Sequence, residues 1–269
     1  MFFIIGSTGI ISKTLKKIIP SKKIKIISTT KKKGNILTKM FTSNFSEEWV
    51  NDININDTVI ILTNFGNIEF YKKNKKQINF LVSNFKKNFF DKVNKKIKII
   101  FMSTDMVYTG KKNKIYNDNS KTNPLNDYGK SKLYIENLIR KRFKKYLILR
   151  LSKIYSTNLK DKTFINYFFL SKKKYLFFDQ KVHFLNIKDF TNILKKVLKK
   201  RNLIGTYNVP GKLFCSRFEF DNKILKNKNK DINNLIKISV NKKIDLPFHL
   251  RLKTFLFKKI KYYPKFIIR

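Results

Sequence analysis

Tyr128 and Lys132 stand four residues apart in "NPLNDYGKSKLYIE", Asn123 to Glu136, just after a proline-containing turn. On a helix that spacing puts both side chains on one face. An ammonium beside a phenol favours the phenolate and draws its pKa down from about 10. A tyrosine so placed can pass a proton near neutral pH. Thr104 closes the apolar run "KIKIIFMST" and adds a hydroxyl that can hydrogen-bond a carbonyl oxygen. The three suit proton transfer at a carbonyl. Lysine makes up about a fifth of the chain, so the pair alone also fits chance.

The elements that must position these groups can be read from apolar periodicity. Met1–Ile5, Lys23–Thr29, Asp57–Asn64, Lys96–Thr104 and Tyr146–Ser152 are short apolar runs that read as strands. They are near-continuous rather than alternating, as expected for strands buried on both faces. Helical patterns lie between them. Lys13–Ile19 reads as a short helix, Glu69–Val93 as one long helix, and Asp127–Phe143 as the helix carrying Tyr128 and Lys132. The alternation predicts an α/β fold, a Rossmann-type doubly wound parallel sheet over residues 1–155. Residues 156–269 are expected to be mainly a smaller substrate-binding region, with the chain crossing back to the first domain. A helix is expected around Asp189–Lys200 and a strand at "GTYNVPG", Gly205–Gly211. The basic tail "FHLRLKTFLFKKIKYYPKFIIR" is expected to hold the last helix.

"GSTGIIS" follows the first strand and opens a helix. Glycine there allows a tight turn and close approach of the backbone to a pyrophosphate at the helix N-terminus. Gly6 and Gly9 are spaced Gly-x-x-Gly, and Ser12 stands where a third glycine is expected. Two glycines alone also fit an ordinary strand–helix turn. An acid at the end of the second strand would bind the ribose 2′-hydroxyl of NAD. "STTKKKGN", Ser28–Asn35, offers hydroxyls and lysines instead, which suit the 2′-phosphate of NADP.

Formal net charge is +44, from 61 Lys+Arg against 17 Asp+Glu, which first suggests a polyanion partner. Three observations argue otherwise. Alanine is absent, while Lys, Asn, Ile and Phe, the residues of A/T-rich codons, are abundant. The lysines are dispersed along the chain. Arginine, the residue preferred for bidentate phosphate and base contacts, is scarce. The expectation is a solvated basic surface and no specific nucleic-acid partner. The single cysteine, Cys215, excludes an intramolecular disulfide and is expected to be a small buried hydrophobe. Two histidines, His183 and His249, are too few for a His/Cys metal cluster, so no metal is expected. No apolar run approaches the roughly 20 residues of a membrane span. "MFFIIGSTGIIS" lacks a basic leader and a cleavage site, so a cytoplasmic location is expected.

Taken in order, the segments "GSTGIIS", "TN" (Thr63, Asn64), "STDMVYTG" (Ser103–Gly110), "NPLNDYGKSKLYIE", "LILRLSKIYS", "FFDQKVHFLNIKDF" and "GTYNVPG" resemble a known family. It is the extended short-chain dehydrogenase/reductases that act on nucleotide sugars, and within it the dTDP-4-dehydrorhamnose reductase family. The resemblance runs over most of the chain. It implies NADPH-dependent reduction of a keto group on a nucleotide-linked sugar, in the synthesis of surface polysaccharide precursors such as dTDP-rhamnose. NADP(H) is the implied cofactor, with NAD(H) as the alternative, and a homodimer is among the assemblies it allows. Tyr128 would exchange the proton at the carbonyl, Lys132 would hold the nicotinamide ribose, and Thr104 would hydrogen-bond the carbonyl oxygen. Gly6, Ser7, Thr8, Gly9, Ile10 and Ile11 would lie on the pyrophosphate. Asn44 and Phe45 would sit near the adenine, and Leu62, Thr63 and Asn64 would line the cofactor. Thr104, Asp105, Met106 and Lys153 would meet the substrate.

Departures from the family pattern fall at the sugar. Met106 replaces an aromatic residue, Lys153 a tryptophan, and "HFLN" a Pro-Thr. Lys153 would favour a more anionic or more hydroxylated sugar. The alternatives are a 4-epimerase or dehydratase of the same fold and, from another class, a non-catalytic basic nucleotide- or nucleic-acid-binding protein. A dehydratase would want a Glu after Asp105, and Met106 stands there.

Overall fold

The computed structural model describes residues 1–28, 36–38, 41, 48–158, 161, 163, 174–226, 235–240 and 245–265. The chain divides into two compact units. Residues Met1–Ser103, Asn126–Leu149 and Asn202–Thr206 form the first. Thr104–Leu125, Arg150–Arg201 and Tyr207–Arg269 form the second.

The first unit is built on strands β1 (Phe2–Ile5), β2 (Ile24–Ser28), β3 (Ile36–Leu37), β4 (Thr58–Ile61) and β5 (Lys98–Thr104). Later in the chain come a short β6 (Ile115–Tyr116), which belongs to the second unit, β7 (Tyr146–Leu151), whose residues up to Leu149 belong to the first, and β11 (Gly205–Val209), whose Gly205 and Thr206 do. Among the described residues the large sheet runs β11-β7-β5-β4-β1-β2-β3. The pairs β1–β2, β1–β4, β4–β5 and β2–β3 are all parallel. Phe3, Ile4, Ile5, Val59, Ile60 and Ile61 are all at most 1% exposed, so these strands are buried on both faces. The α/β architecture and the doubly wound sheet read from the sequence are therefore present.

Helices α1 (Ile10–Ile18) and α4 (Asp127–Arg142) match the expected helices, with α1 starting three residues earlier. The single long helix expected over Glu69–Val93 is not formed. It is broken into α2 (Ile68–Lys73), α3 (Lys75–Phe85) and a π-turn at Lys86–Phe90. Asn74 makes the first break. Its backbone sits at φ −119°, ψ 38°, and its side-chain amide donates to the Phe70 carbonyl at 3.0 Å, competing with helix continuation. The π-turn has a packing reason. Wider winding brings Phe85, Phe89 and Phe90 all inward, each at most 1% exposed, where a regular helix would splay neighbours about 100° apart. Trp49 stacks between Phe3 and Phe89 in the same core.

The second unit holds a five-stranded sheet of order β12-β10-β14-β6, with β8 also on β10. Its strands are β6, β8 (Lys153–Tyr155), β10 (Lys181–Asn186), β12 (Leu213–Ser216) and β14 (His249–Leu252). A separate pair joins β9 (Lys174–Phe177) to β13 (Leu235–Ile238) in parallel. Helices α5 (Ile187–Lys199) and α6 (Arg217–Lys226) pack here, and Phe184 of β10 stacks on Phe220 of α6 at 3.9 Å. The basic tail is not simply a last helix. It supplies β14 and only then a short α7 (Leu256–Ile260). Alternation in "HLRL", with Leu250 and Leu252 buried and Arg251 exposed, is the strand signal that its lysine content masks.

Candidate functional site

Register aligns the carboxyl ends of the first-unit strands. Ile5 pairs with Ile27 and Ile61, and Ile61 pairs with Phe101. Gly6, Ser28, Leu62 and Met102 therefore stand in line at the carboxyl end of the sheet, where open α/β sheets bind ligands. Gly6 turns at φ +106°, and a Cβ there would stand 3.3 Å from that of Leu62. Only glycine takes that backbone without strain. Gly9 caps α1 without a side-chain oxygen, and the first turn carries no acid. A Cβ on Gly9 would meet nothing within 4 Å. The α1 N-terminus thus keeps free amides and open space for an anion.

Ser7, in the loop, bonds Ser28 at 2.8 Å between two buried hydroxyls. Ser12 is fully buried, as close packing at the third glycine position requires, at the cost of a hydroxyl without a hydrogen-bond partner. Thr29–Asn35, Asn44 and Phe45 lie outside the described residues.

Tyr128 sits in the first turn of α4, whose N-cap Asn126 accepts from the Gly129 amide at 2.8 Å. Its ring meets Tyr71 of α2 edge-on at 5.2 Å. Lys132, one turn on, is 3% exposed. Its Nζ donates to the Thr63 carbonyl at 2.8 Å and the Met102 carbonyl at 3.3 Å. It lies 5.0 Å from the Phe101 ring centroid and 5.9 Å from that of Tyr128. Burial pushes the Lys132 ammonium down to about 7, and the Glu136 carboxylate pulls it back up. The structure thus brings Lys132 to the strand edge and places Thr63 against it. The Thr63 hydroxyl is buried and has no hydrogen-bond partner. Asn64 bonds the Gly66 carbonyl at 2.9 Å and Tyr71 at 3.2 Å.

Glu136 was not singled out in the sequence. It is completely buried, takes the Ser103 hydroxyl at 2.5 Å, and pairs with Arg140. The available signal was spacing: Glu136 follows Lys132 by four, as Lys132 follows Tyr128.

In the second unit Thr104 caps a 3₁₀ turn, Asp105–Val107. Its hydroxyl accepts from the Met106 amide at 3.2 Å and faces the Asp105 carboxyl at 3.4 Å. Asp105 is buried, and desolvation pushes it up to about 7 against the opposing charge of Lys153. Lys153, the first residue of β8, keeps an accessible side chain among enough protein that desolvation lowers its pKa. Arg217 lowers it further, while Asp105 and Asp221 raise it. Arg217 itself pairs with Asp221 along α6. A buried network of Tyr108, Arg150, Asn208 and Asp118 fixes the following loop: Arg150 donates to Tyr108 at 2.7 Å, and the Asn208 amide to Asp118 at 2.7 Å. Cys215 is half-buried, and burial pushes its thiol up to about 12, which makes it inert.

No helix among the described residues is long and apolar enough to cross a membrane. No curated protein matches the sequence. Solved structures share the fold. A dTDP-4-dehydrorhamnose reductase from Bacillus anthracis, in complex with NADP, is 19% identical. It superposes with a TM-score of 0.77 over 98% of this chain and 93% of its own. The Clostridium acetobutylicum orthologue is 18% identical, with a TM-score of 0.75 over 96% and 91%. DesIV, the dTDP-glucose 4,6-dehydratase of Streptomyces venezuelae, with NAD and TYD bound, is 13% identical. Its TM-score is 0.77 over 99% and 92%. The family described as the RmlD substrate binding domain matches residues 1–259, nearly the whole chain, and the chain belongs to that family.

Proposed function

We propose that the protein reduces a keto group on a nucleotide-linked sugar with NADPH. The observation that carries this reading is Lys132. It is a buried lysine four residues after Tyr128, held by the Thr63 and Met102 carbonyls at the strand edge opposite a glycine-turned loop. The residues present fit a dinucleotide. Gly6 and the uncapped α1 N-terminus suit a pyrophosphate, and the orphaned Thr63 hydroxyl suits a ligand hydroxyl or amide. When bound, that cofactor supplies the hydride.

The chain supplies the rest. Tyr128 gives its phenolic proton to the carbonyl oxygen as charge develops there. Lys132 holds the cofactor ribose and, as an ammonium, favours the phenolate that remains. Thr104 donates a hydrogen bond to the same oxygen. Met106 and Lys153 meet the sugar, and Ser28 carries no acid that would repel the extra phosphate of NADPH. The dispersed lysines then form a solvated surface without a nucleic-acid site.

Loss of absorbance at 340 nm with NADPH and a panel of nucleotide-linked 4-keto sugars tests the reading. Turnover with at least one member, abolished by Tyr128→Phe, is expected. Absence of turnover across the panel refutes it. A second reading, dehydration of a nucleotide-linked sugar, is favoured by Asp105, whose buried carboxyl stays protonated toward neutrality and could donate to a leaving hydroxyl. Formation of a 4-keto product from a nucleotide-linked hexose without added NADPH would select it.

A further inference from the structure

Four residues recur every fourth position along α4: Tyr128, Lys132, Glu136 and Arg140. That spacing forms one row on the helix surface. Glu136 has no exposed surface, yet it carries a carboxylate. Burying a carboxylate is costly unless it is paired. Here Oε1 accepts from the Ser103 hydroxyl at 2.5 Å, and Oε2 accepts from Arg140.

Lys132 has the converse difficulty. Two carbonyls and two ring faces meet it, and carbonyls are dipoles rather than charges. The groups facing Lys132 are Tyr128 and Glu136 from α4, the Thr63 carbonyl after β4, and the Phe101 ring and Met102 carbonyl of β5. Glu136 is met, among others, by Lys132 and Arg140 from α4 and by Ser103 from β5. Of these, Glu136 is the group whose full negative charge acts on the ammonium. The helical rise puts the Lys132 and Glu136 backbones about 6 Å apart and Arg140 about 12 Å from Lys132. Arg140 is also 29% exposed, so solvent screens its repulsion more than it screens the buried carboxylate.

We propose that Glu136 is the positioning residue that keeps Lys132 charged, with Ser103 and Arg140 locking its carboxylate beneath the strand edge. This rests on the reading that Lys132 serves a dinucleotide and Tyr128. A helix contact alone would be met by any residue of that size. A buried charge one turn below a buried lysine sets a protonation state. Its loss moves the lysine further toward its neutral form, so cofactor binding and turnover fail at lower pH.

The test compares Glu136→Gln, which keeps an oxygen for Ser103 but removes the charge, with Ser103→Ala, which removes the bond but keeps the charge. NADPH affinity is followed by fluorescence from pH 6 to 9.5, with kcat/KM on a turned-over sugar and a thermal melt for each variant. Glu136→Gln is expected to move the alkaline limb of both profiles at least one pH unit lower. Affinity at pH 6 should stay within about threefold of the parent. Ser103→Ala is expected to lower the melting temperature without moving the limb. A Glu136→Gln profile that keeps its shape while the melting temperature falls overturns the proposal. If Glu136→Gln does not fold, Arg140→Gln decides: freeing the carboxylate should move the limb to higher pH, and an unmoved limb overturns the idea. NADPH binding is measured without substrate. A chain that binds NADPH but reduces no keto sugar therefore fails the functional reading while still testing Glu136.

Discussion

The hydroxyls of Ser7 and Ser28 meet at 2.8 Å and tie the loop after β1 to the end of β2. Ser28 stands twenty-two residues after Gly6, about where an NAD-binding sheet places the acid that grips the ribose. A buried hydroxyl pair there neither repels a 2′-phosphate nor replaces that acid. Ser28→Asp should therefore invert cofactor preference. The parent is expected to favour NADPH in kcat/KM at moderate salt, and the variant to favour NADH by at least tenfold. Low salt would mislead, because a +44 chain attracts the extra phosphate non-specifically.

Gly6 and Gly9 share a loop but should respond differently to alanine. Gly6 adopts φ +106°, and an added Cβ presses on Leu62 at 3.3 Å, so Gly6→Ala is expected to cost roughly 1–3 kcal/mol. That corresponds to several degrees in Tm for a chain of this size. Gly9 has no positive φ and open space at its Cβ, so Gly9→Ala should melt close to the parent. The same open space is where a pyrophosphate would approach, so Gly9→Ala should weaken NADPH binding. Scanning calorimetry and a binding titration on both variants separate the two effects. Equal melting losses would refute the distinction.

Tyr128 and Lys132 should separate proton transfer from cofactor binding. Tyr128→Phe removes the proton source and leaves the edge-on packing with Tyr71. It should reduce kcat by about a hundred- to ten-thousand-fold with NADPH affinity nearly unchanged. Lys132→Ala should reduce both, because that ammonium serves both partners. A phenylalanine variant retaining half the parent rate would exclude Tyr128 as the acid.

Much of the frame was legible because its signals are local. Continuous apolar runs such as "TVII" and "KIIFMST" mark strands buried on both faces, and the proline-containing turn before Asp127 marks the start of α4. The second unit was less legible. Strands β8 and β12 are three and four residues long, too short for a periodic signal, and β14 lies in a basic tail that reads as the last helix. At the candidate site, the placement of Tyr128 and Lys132 on one helix, one turn apart, was legible from spacing. Glu136 was not, since a glutamate among helical lysines ordinarily faces solvent, and only tertiary contact with Ser103 reveals its burial. The break at Asn74 was hidden for a related reason: the apolar spacing continues through it, while the side chain turns back to Phe70.

Asp105 supplies a pH signature that needs no substrate. Its folded pKa of about 7 lies well above the unfolded value near 3.9. Between those values the folded chain holds a proton that the unfolded chain releases. Stability contributed by Asp105 therefore falls as pH rises from about 4 to about 7, then levels off. A shift of about three units corresponds to roughly 4 kcal/mol at most. Asp105→Asn cannot ionise and should escape this loss. The variant should gain stability relative to the parent steadily between pH 4 and 7, measured as ΔG from urea unfolding. Lys153 lowers the Asp105 pKa, so Lys153→Ala should extend the parent's loss to higher pH. The same variant should raise KM for the sugar substrate while leaving NADPH affinity unchanged, if Lys153 meets the sugar. A flat difference between Asp105→Asn and the parent across that range would mean that Asp105 is solvated and ionised in the fold. Its availability as a proton donor, on which the dehydratase alternative depends, would fall with it.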